Sequence, residues 1–405
     1  MSMSNSRKRN DRILQGLTYF ASFTSLFVLL SIVLFVLFNG VKLINMDLIT
    51  NDYESKSYIA DLKDFSGPGD FTLTKTWDST TYYSSKWGIA LKDDENLMGH
   101  TVVKVSYVHP DSPFMKLRNK GVSSSELSLG KNYEIVRIAF SDAPSALSVQ
   151  GASNMISVLD SKDTFREIEF STTGGGIRGS IITTLYLIGL TLLIALPIGI
   201  GAALYLNEYA PKNRFTKALR NLIETLTGVP SIIYGLMGLA LFVPITISLT
   251  KATGPNLISG ALTLSVILLP VIIRTTEESL KVVPDEYRQA ALALGSNKTQ
   301  TTFKVVLPSA FSGILTATLL AIGRIIGESA ALVFAVGTAI KDNVSIFDKS
   351  TSLSVHIFAM MTDEPANIEL STTIAIIILI IVLSMNLSIK FLSKSLLRKV
   401  GITHE

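Results

Sequence analysis

The chain has 405 residues, of which 17% are charged and 48% hydrophobic, with a formal charge of +4 and no cysteine. Its mean hydropathy is +0.42. Soluble domains carry about 25% charged residues, so the composition points to a membrane protein. The basic residues gather beside apolar runs, which is a topology signal and argues against a nucleic-acid face. Without cysteine, disulfides and thiolate metal sites are excluded.

Residues 1–16 carry Arg7, Lys8 and Arg9 ahead of an apolar run at 17–38. Crossing a bilayer takes about 20 residues. A cleaved signal peptide has an apolar core of only about 7–15 residues and a small-residue cleavage site. This run ends on Leu37-Phe38-Asn39, so 17–39 reads as an uncleaved anchor with a cytoplasmic N-terminus. Residues 45–176 are polar, with acidic residues in excess and no spanning run, and read as one small domain outside the cytoplasm. Stretches 101–108, 133–139 and 165–171 are strand-like, and 148–159 is helix-like. Trp87-Gly88-Ile89-Ala90-Leu91 reads as a strand opened by a glycine. The order of the glycine-opened strand, HPDSPF at 109–114, LSLGKNYEIVRI at 127–138, a helix and a last strand resembles a PDZ-type fold. An unrelated α+β insertion is the alternative. Residues 173–179 form a Gly-rich hinge back to the membrane, without the strand and helix context of a nucleotide loop.

Five further spans are expected, at 180–205, 228–249 (broken by Pro230 and Pro244), 257–273, 310–339 and 370–392. Lys212, Arg214, Lys217 and Arg220 mark a cytoplasmic loop, and 251–255 an outside turn. Residues 341–369 form an outside loop with an apolar patch at 355–361. Lys390, Lys394, Arg398 and Lys399 place the tail, 393–405, inside. Six spans leave both termini in the cytoplasm.

The polar stretch 286–308, EYRQAALALGSNKTQTTFKVVLP, lies between two very apolar segments. At helical period Tyr287, Ala290, Ala291 and Leu294 share a face, and Gly295 suits a helix end with φ > 0. A second helix over 298–306 runs into Pro308, placed to start the next span. The segment reads either as a docking handle or as an ordinary amphipathic connection. Ala290-Ala291, Gly295 and Val305-x-Leu307-Pro308 resemble the coupling loop of ABC-importer permeases. That resemblance implies that 284–308 inserts into a groove on an ATPase subunit. Gln289 departs from it, standing where the family usually has Glu.

GRIIGES at 323–329 puts Arg324 and Glu328 one turn apart in an apolar helix. An Arg at mid-bilayer costs about 2.5–3.5 kcal/mol on the insertion scale, so it should face protein or water. Two roles fit: an ion pair locking the helix, or an anion site, since the guanidinium fork matches phosphate oxygens. Gly323 and Gly327 suit close approach of another helix. Arg274, with Glu277 and Glu278 one turn on, is either a topology-determining edge residue or part of the same path. Metalloprotease H-E-x-x-H, G-x-S-x-G and P-loop motifs are absent, and Gly130-Lys131 lacks the Ser or Thr of a P-loop. This argues against an enzyme, and the short tail against a membrane sensor.

PIGIGAALYLNEYAP (197–211), GVPSIIYGL (228–236), PVIIRTTEESLKVVP (270–284), ALALGSNK (291–298) and GRIIGESAALVF (323–334) occur in that order. As a set they resemble the A-type permease subunit of the phosphate-specific ABC importer. The resemblance covers roughly 179–392 plus the first span. It implies an all-α polytopic type I importer fold carrying an α+β insertion, in the bacterial cytoplasmic membrane. It implies a C-type permease partner, an ATPase dimer that uses ATP and Mg, and an extracytoplasmic phosphate-binding protein. It also associates Arg274, Arg324 and Glu328 with phosphate passage. No cofactor on this chain and no nucleic-acid partner is implied. Ala331, where the family often has Pro, and the large insertion are departures. A sulfate or molybdate permease is the nearest competing reading.

Overall fold

The computed structural model describes residues 5–62, 69–72, 80–95, 101–121, 125–172, 174–362 and 366–399. Residues 1–4 of the expected N-terminus and 400–405 of the expected tail lie outside these. So does Thr173 of the hinge. The chain divides into two units, one formed by Met1–Leu48 with Ile177–Glu405, the other by Ile49–Gly176.

Among the described residues the second unit carries an antiparallel sheet of nine strands. They are β1 (Ser57–Leu62), β2 (Thr81–Ser84), β3 (Ile89–Glu95), β4 (Thr101–Val108), β5 (Leu117–Asn119), β6 (Glu126–Leu127), β7 (Glu134–Ala139), β8 (Ala146–Leu147) and β9 (Glu167–Ser171). Their order is β2-β3-β4-β7-β9-β1-β5-β6, with β8 on β7. Alternation does the work: in β9, Ile168 and Phe170 point inward and the glutamates outward. Gly88 takes φ +66° before β3, the opening expected of it. Trp87, Phe114 and Phe165 are buried together, with ring centroids 5.4–5.8 Å apart. Trp87 Nε1 donates to the Leu159 carbonyl at 3.0 Å, which anchors helix α3 (Gly151–Asp160) on the sheet. Asp93 accepts the Ala152 amide at 2.7 Å at the start of that helix.

The first unit is helical. Helix α1 (Asn5–Gly40) leads to a short α2 (Met46–Thr50). Gly40 lets α1 approach the last helix, α15 (Ile368–Lys399): a Cβ there would fall 2.7 Å from the Thr372 backbone. Thr373 Oγ1 donates to the Gly40 carbonyl at 2.8 Å. Helix α4 (Arg178–Leu204) runs through Pro197 into a π turn at Tyr205–Tyr209. Amphipathic α5 (Arg214–Leu226) is capped by Asn213, whose side chain accepts the Thr216 amide at 2.9 Å. The next span is α6 (Ser231–Met237), a π turn at Gly238–Phe242 and α7 (Val243–Leu249). Pro244 was expected to break this span. It does not, because the π turn just before it absorbs the missing donor and the ring's bulk.

Asn256 opens α8 (Leu257–Val282) with a reciprocal cap to Ser259. The helix continues past the expected end at 273 by more than two turns. Its charged extension is stabilised by pairs at i,i+4, Arg274–Glu278 at 3.0 Å and Glu277–Lys281 at 2.9 Å. The coupling segment is α9 (Asp285–Ala293), then α10 (Lys298–Thr301), a π turn at Thr302–Val306 and α11 (Leu307–Ser309). Pro308 does not start the following span, as expected of it. It lies inside a continuous helical run, Lys298–Ser309, which is bent by 64° from α12 (Phe311–Gly327), with the bend at Ala310.

The fifth span is also not one helix. α12 ends at Gly327, and α13 (Ala330–Ala335) follows a break at Glu328-Ser329. Glu328 has ψ 118°, which is extended backbone. The break is satisfied from elsewhere, since Ser354 Oγ donates to the Glu328 carbonyl at 2.7 Å. The apolar patch expected in a loop at 355–361 is α14 (Leu353–Thr362), with Leu353, Val355 and Met360 buried. Among the described residues, five helices are long and apolar enough to span, six when the bent pair counts as one.

Candidate functional site

Two regions hold the residues singled out in the sequence. The first is the coupling segment. Gly295 ends α9 with φ +89° and has open space around it. Tyr287 and Leu294 are exposed, Leu294 at 90%, and so are Gln289 and Ala290. Ala291 is half-buried, on the side of α9 that also carries Arg288. The expected face is therefore split: Tyr287, Ala290 and Leu294 form an apolar surface with nothing on it, while Ala291 turns inward. Leu307 and Pro308 are half-buried, and Leu307 packs on the cluster formed by Leu280, Val283 and Val306. These two support the segment from behind.

What holds the segment was not found in the sequence. Arg288 donates to the Glu208 carboxylate at 2.9 Å, to the Leu280 carbonyl at 2.9 Å and to the Val283 carbonyl at 2.7 Å. It thus caps the carbonyl end of α8 and grips the end of α4 at once. Asp285 takes a further bond from it at 3.2 Å. The signal available was an acid, Glu208, closing an apolar run, and an Arg within the first coupling helix. Their separation of 80 residues hides the pairing.

The second region is the charged end of α8 and the interior of α12. Arg274 joins Glu224 of α5 at 3.2 Å and Glu278 at 3.0 Å. Glu277, with a side chain only 9% exposed, lies 3.0 Å from Arg220 and 2.9 Å from Lys281. These groups line a cavity of about 220 Å³ between α5 and α8. Three cations (Arg220, Arg274, Lys281) face three carboxylates (Glu224, Glu277, Glu278), so the cavity is electrically balanced when empty. Glu277 Oε1 and Arg220 Nε are buried without a directed hydrogen bond, so these pairs rest on charge rather than aligned geometry.

Arg324 and Glu328 are both half-buried, but they do not form the ion pair considered from sequence. Helix α12 ends between them. The Glu328 carboxylate turns instead to the Ala331 amide, 3.3 Å away, at the start of α13. Among the described residues no ion pair or hydrogen bond holds Arg324. Its charge reaches the phenol of Tyr234, whose hydroxyl donates to the Leu226 carbonyl at 2.9 Å. Gly323 and Gly327 do not receive another helix of this chain, for nothing lies within 4 Å of a Cβ at either. With exposed Ser312, Thr316 and Leu320 they form an open stripe along α12. The close approach occurs instead between α6 and α13, where a Cβ on Gly235 would fall 2.7 Å from Ala331 Cα.

The family described as binding-protein-dependent transport system inner membrane component matches residues 195–401. The chain is 36% identical over 242 residues to the probable ABC transporter permease protein YqgI of Bacillus subtilis, covering 56% of this chain and 81% of that one. It is 39% identical over 160 residues to the phosphate transport system permease protein PstA of Haemophilus influenzae, covering 40% of this chain and 55%, about half, of that relative. Among solved structures, the inward-facing MetNI methionine ABC transporter aligns with 56% of this chain and 96% of that chain, at 21% identity and a TM-score of 0.42.

Proposed function

Because this chain belongs to the binding-protein-dependent transport system inner membrane component family, we propose that it is the A-type permease of an ATP-driven phosphate importer. The coarser statement needs no proposal: it is a transmembrane permease subunit of an ABC importer and is not itself the ATPase. Phosphate as the substrate is supported by the set of motifs from 197 to 334 and by the relative that carries that name.

The observation that carries the reading is Arg324. It is a half-buried cation in an apolar helix that no carboxylate among the described residues neutralises. Such a residue is costly unless it meets water, protein or an anion. It sits beside the open stripe of α12, the face free for a second permease subunit. A guanidinium there offers an anion a bidentate site, and Arg274 at the end of α8 offers a second cation. Glu328 shapes this region by ending α12, and does not act as Arg324's counter-ion.

The remaining parts follow from the same reading. The exposed Tyr287, Gln289, Ala290 and Leu294 dock on the ATPase, which uses ATP and Mg. Both termini are cytoplasmic, and residues 49–176 lie on the side of the phosphate-binding protein. The other half of the path is a C-type permease.

The test is uptake of labelled phosphate by proteoliposomes holding the whole importer. Arg324→Leu should assemble and lose uptake at least tenfold, and Arg324→Lys should lose much of it because the fork is gone. Near-normal phosphate uptake by Arg324→Leu overturns the role. Wild-type complex that moves sulfate or molybdate in preference to phosphate overturns the substrate.

A further inference from the structure

The end of α4 carries two adjacent side chains that point to different arms of the coupling segment. Glu208 faces the first arm. Its carboxylate receives Arg288 of α9 at 2.9 Å and a second, longer approach from the same guanidinium at 3.5 Å. Asn207 donates to it at 2.8 Å. The pair is largely shielded, with side chains 9% and 18% exposed. Tyr209 faces the second arm. Lys298 Nζ sits over its ring, 5.1 Å from the centroid, and its hydroxyl meets those of Thr302 and Thr299.

These contacts sit on a π turn, Tyr205–Tyr209, not on regular α-helix. A π turn advances the chain by a different angle, so two successive side chains can address two separate helices. The turn is itself held, since Arg220 of α5 donates to the Leu206 carbonyl at 2.7 Å and pairs with Glu277 of α8 at 3.0 Å. Arg288 in turn binds the carbonyls of Leu280 and Val283, which end α8.

We propose that Glu208 and Tyr209 form a clasp that makes both arms of the coupling segment move as one body with α4 and α8. They are positioning residues: neither touches substrate, and neither belongs to the exposed docking surface. The clasp turns displacement of α9 and α10 by the ATPase into displacement of two membrane helices. A segment held by chain connectivity alone would swing about Pro284 and Ala310 and dissipate that displacement. The Glu208–Arg288 pair is buried enough to resist solvent screening, while Tyr209 is more open and holds through its ring face.

The inference rests on the docking role given to 284–308 above, and the two are separable by experiment. Absence of native cysteine permits clean labelling. In the assembled importer, spin labels go on Leu292→Cys of α9, outside the docking set, and Leu193→Cys on the exposed face of α4, both exposed side chains. With the clasp intact, the label-to-label distance should be the same with and without ATP. In Glu208→Gln and in Tyr209→Leu the distance distribution should broaden on ATP addition, and phosphate moved per ATP hydrolysed should fall at least tenfold while hydrolysis continues. Tyr209→Phe keeps the ring under Lys298 and should fall between wild type and Tyr209→Leu. If Glu208→Gln fails to assemble, the two Tyr209 variants decide. An unchanged distance distribution and unchanged transport per ATP in the variants that assemble overturn the clasp. Failure of the docking reading shows differently, as ATPase that copurifies normally with an Ala290→Trp chain.

Discussion

Leu294 offers the sharpest test of where the ATPase binds. It is 90% exposed on a segment otherwise rich in polar residues, so the folded chain gains almost nothing from it. Fully burying a Leu side chain is worth about 1.5–3 kcal/mol. If the ATPase covers Leu294, replacing it with Ser forfeits most of that, about 2 kcal/mol. At about 1.4 kcal/mol per tenfold, the expected loss in ATPase affinity is roughly 30-fold. The assay is a titration of purified ATPase against permease in nanodiscs, read by ATPase retention or by fluorescence of a labelled ATPase. The permease's own thermal stability should not change, because the side chain has no internal contacts to lose. Leu307→Ser is the matching control: it should lower permease stability, since Leu307 packs against Leu280 and Val306. Unchanged affinity in Leu294→Ser, with Leu307→Ser behaving as stated, would refute the placement of the docking surface.

Gly295→Ala should weaken ATPase binding by straining the turn, by about 1–2 kcal/mol, because a Cβ is disfavoured at φ +89°; Gly295→Asn should be milder in the same titration. Gly235→Ala should destabilise the membrane unit by about 1–3 kcal/mol, since the new methyl meets the Ala331 backbone at 2.7 Å, and melting in detergent reads it. Trp87→Ala should cost about 3–5 kcal/mol in the unit of residues 49–176 and make that unit sensitive to protease added to spheroplasts. Asp61 has its pKa lowered below the ordinary 3.8, first by the hydrogen bond from Arg118. Its contribution to stability is therefore full above about pH 4 and lost as the pH falls through the lowered value. Asp61→Asn should lower the stability of that unit modestly near neutrality, where the pair with Arg118 is fully formed, and flatten its acid unfolding below pH 4.

The spans were legible because apolar runs of sufficient length declare themselves without reference to a partner. The strands of the unit of residues 49–176 were legible for a related reason, since alternation in stretches such as Glu167–Ser171 is local. What escaped depended on distant residues. The periodicity through GRIIGES continues as if the helix did, and only Ser354, 26 residues away, satisfies the carbonyl that the break at Glu328 releases. Pro244 looked like a breaker because π turns leave no compositional mark. Ala291 looked equivalent to Ala290 on a helical wheel. The side that turns inward was decided by Arg288 and its bond to Glu208, 80 residues back.

The distribution of charge separates holding from carrying. Glu208 and Glu277 are the acids at the ends of α4 and α8, each with a side chain 9% exposed. Each is neutralised by an arginine from another element, Arg288 from α9 and Arg220 from α5. A paired, shielded charge of this kind fixes geometry: breaking it leaves a buried ion, whereas replacing the whole pair with apolar groups can be nearly neutral. Arg324 follows the opposite rule. It bears the insertion cost of a cation in an apolar helix, and among the described residues no partner repays it. An apolar residue at that position would stabilise the isolated subunit. On the anion-path reading proposed above, a transported oxyanion supplies the missing negative charge at the face of α12 left open by Gly323 and Gly327.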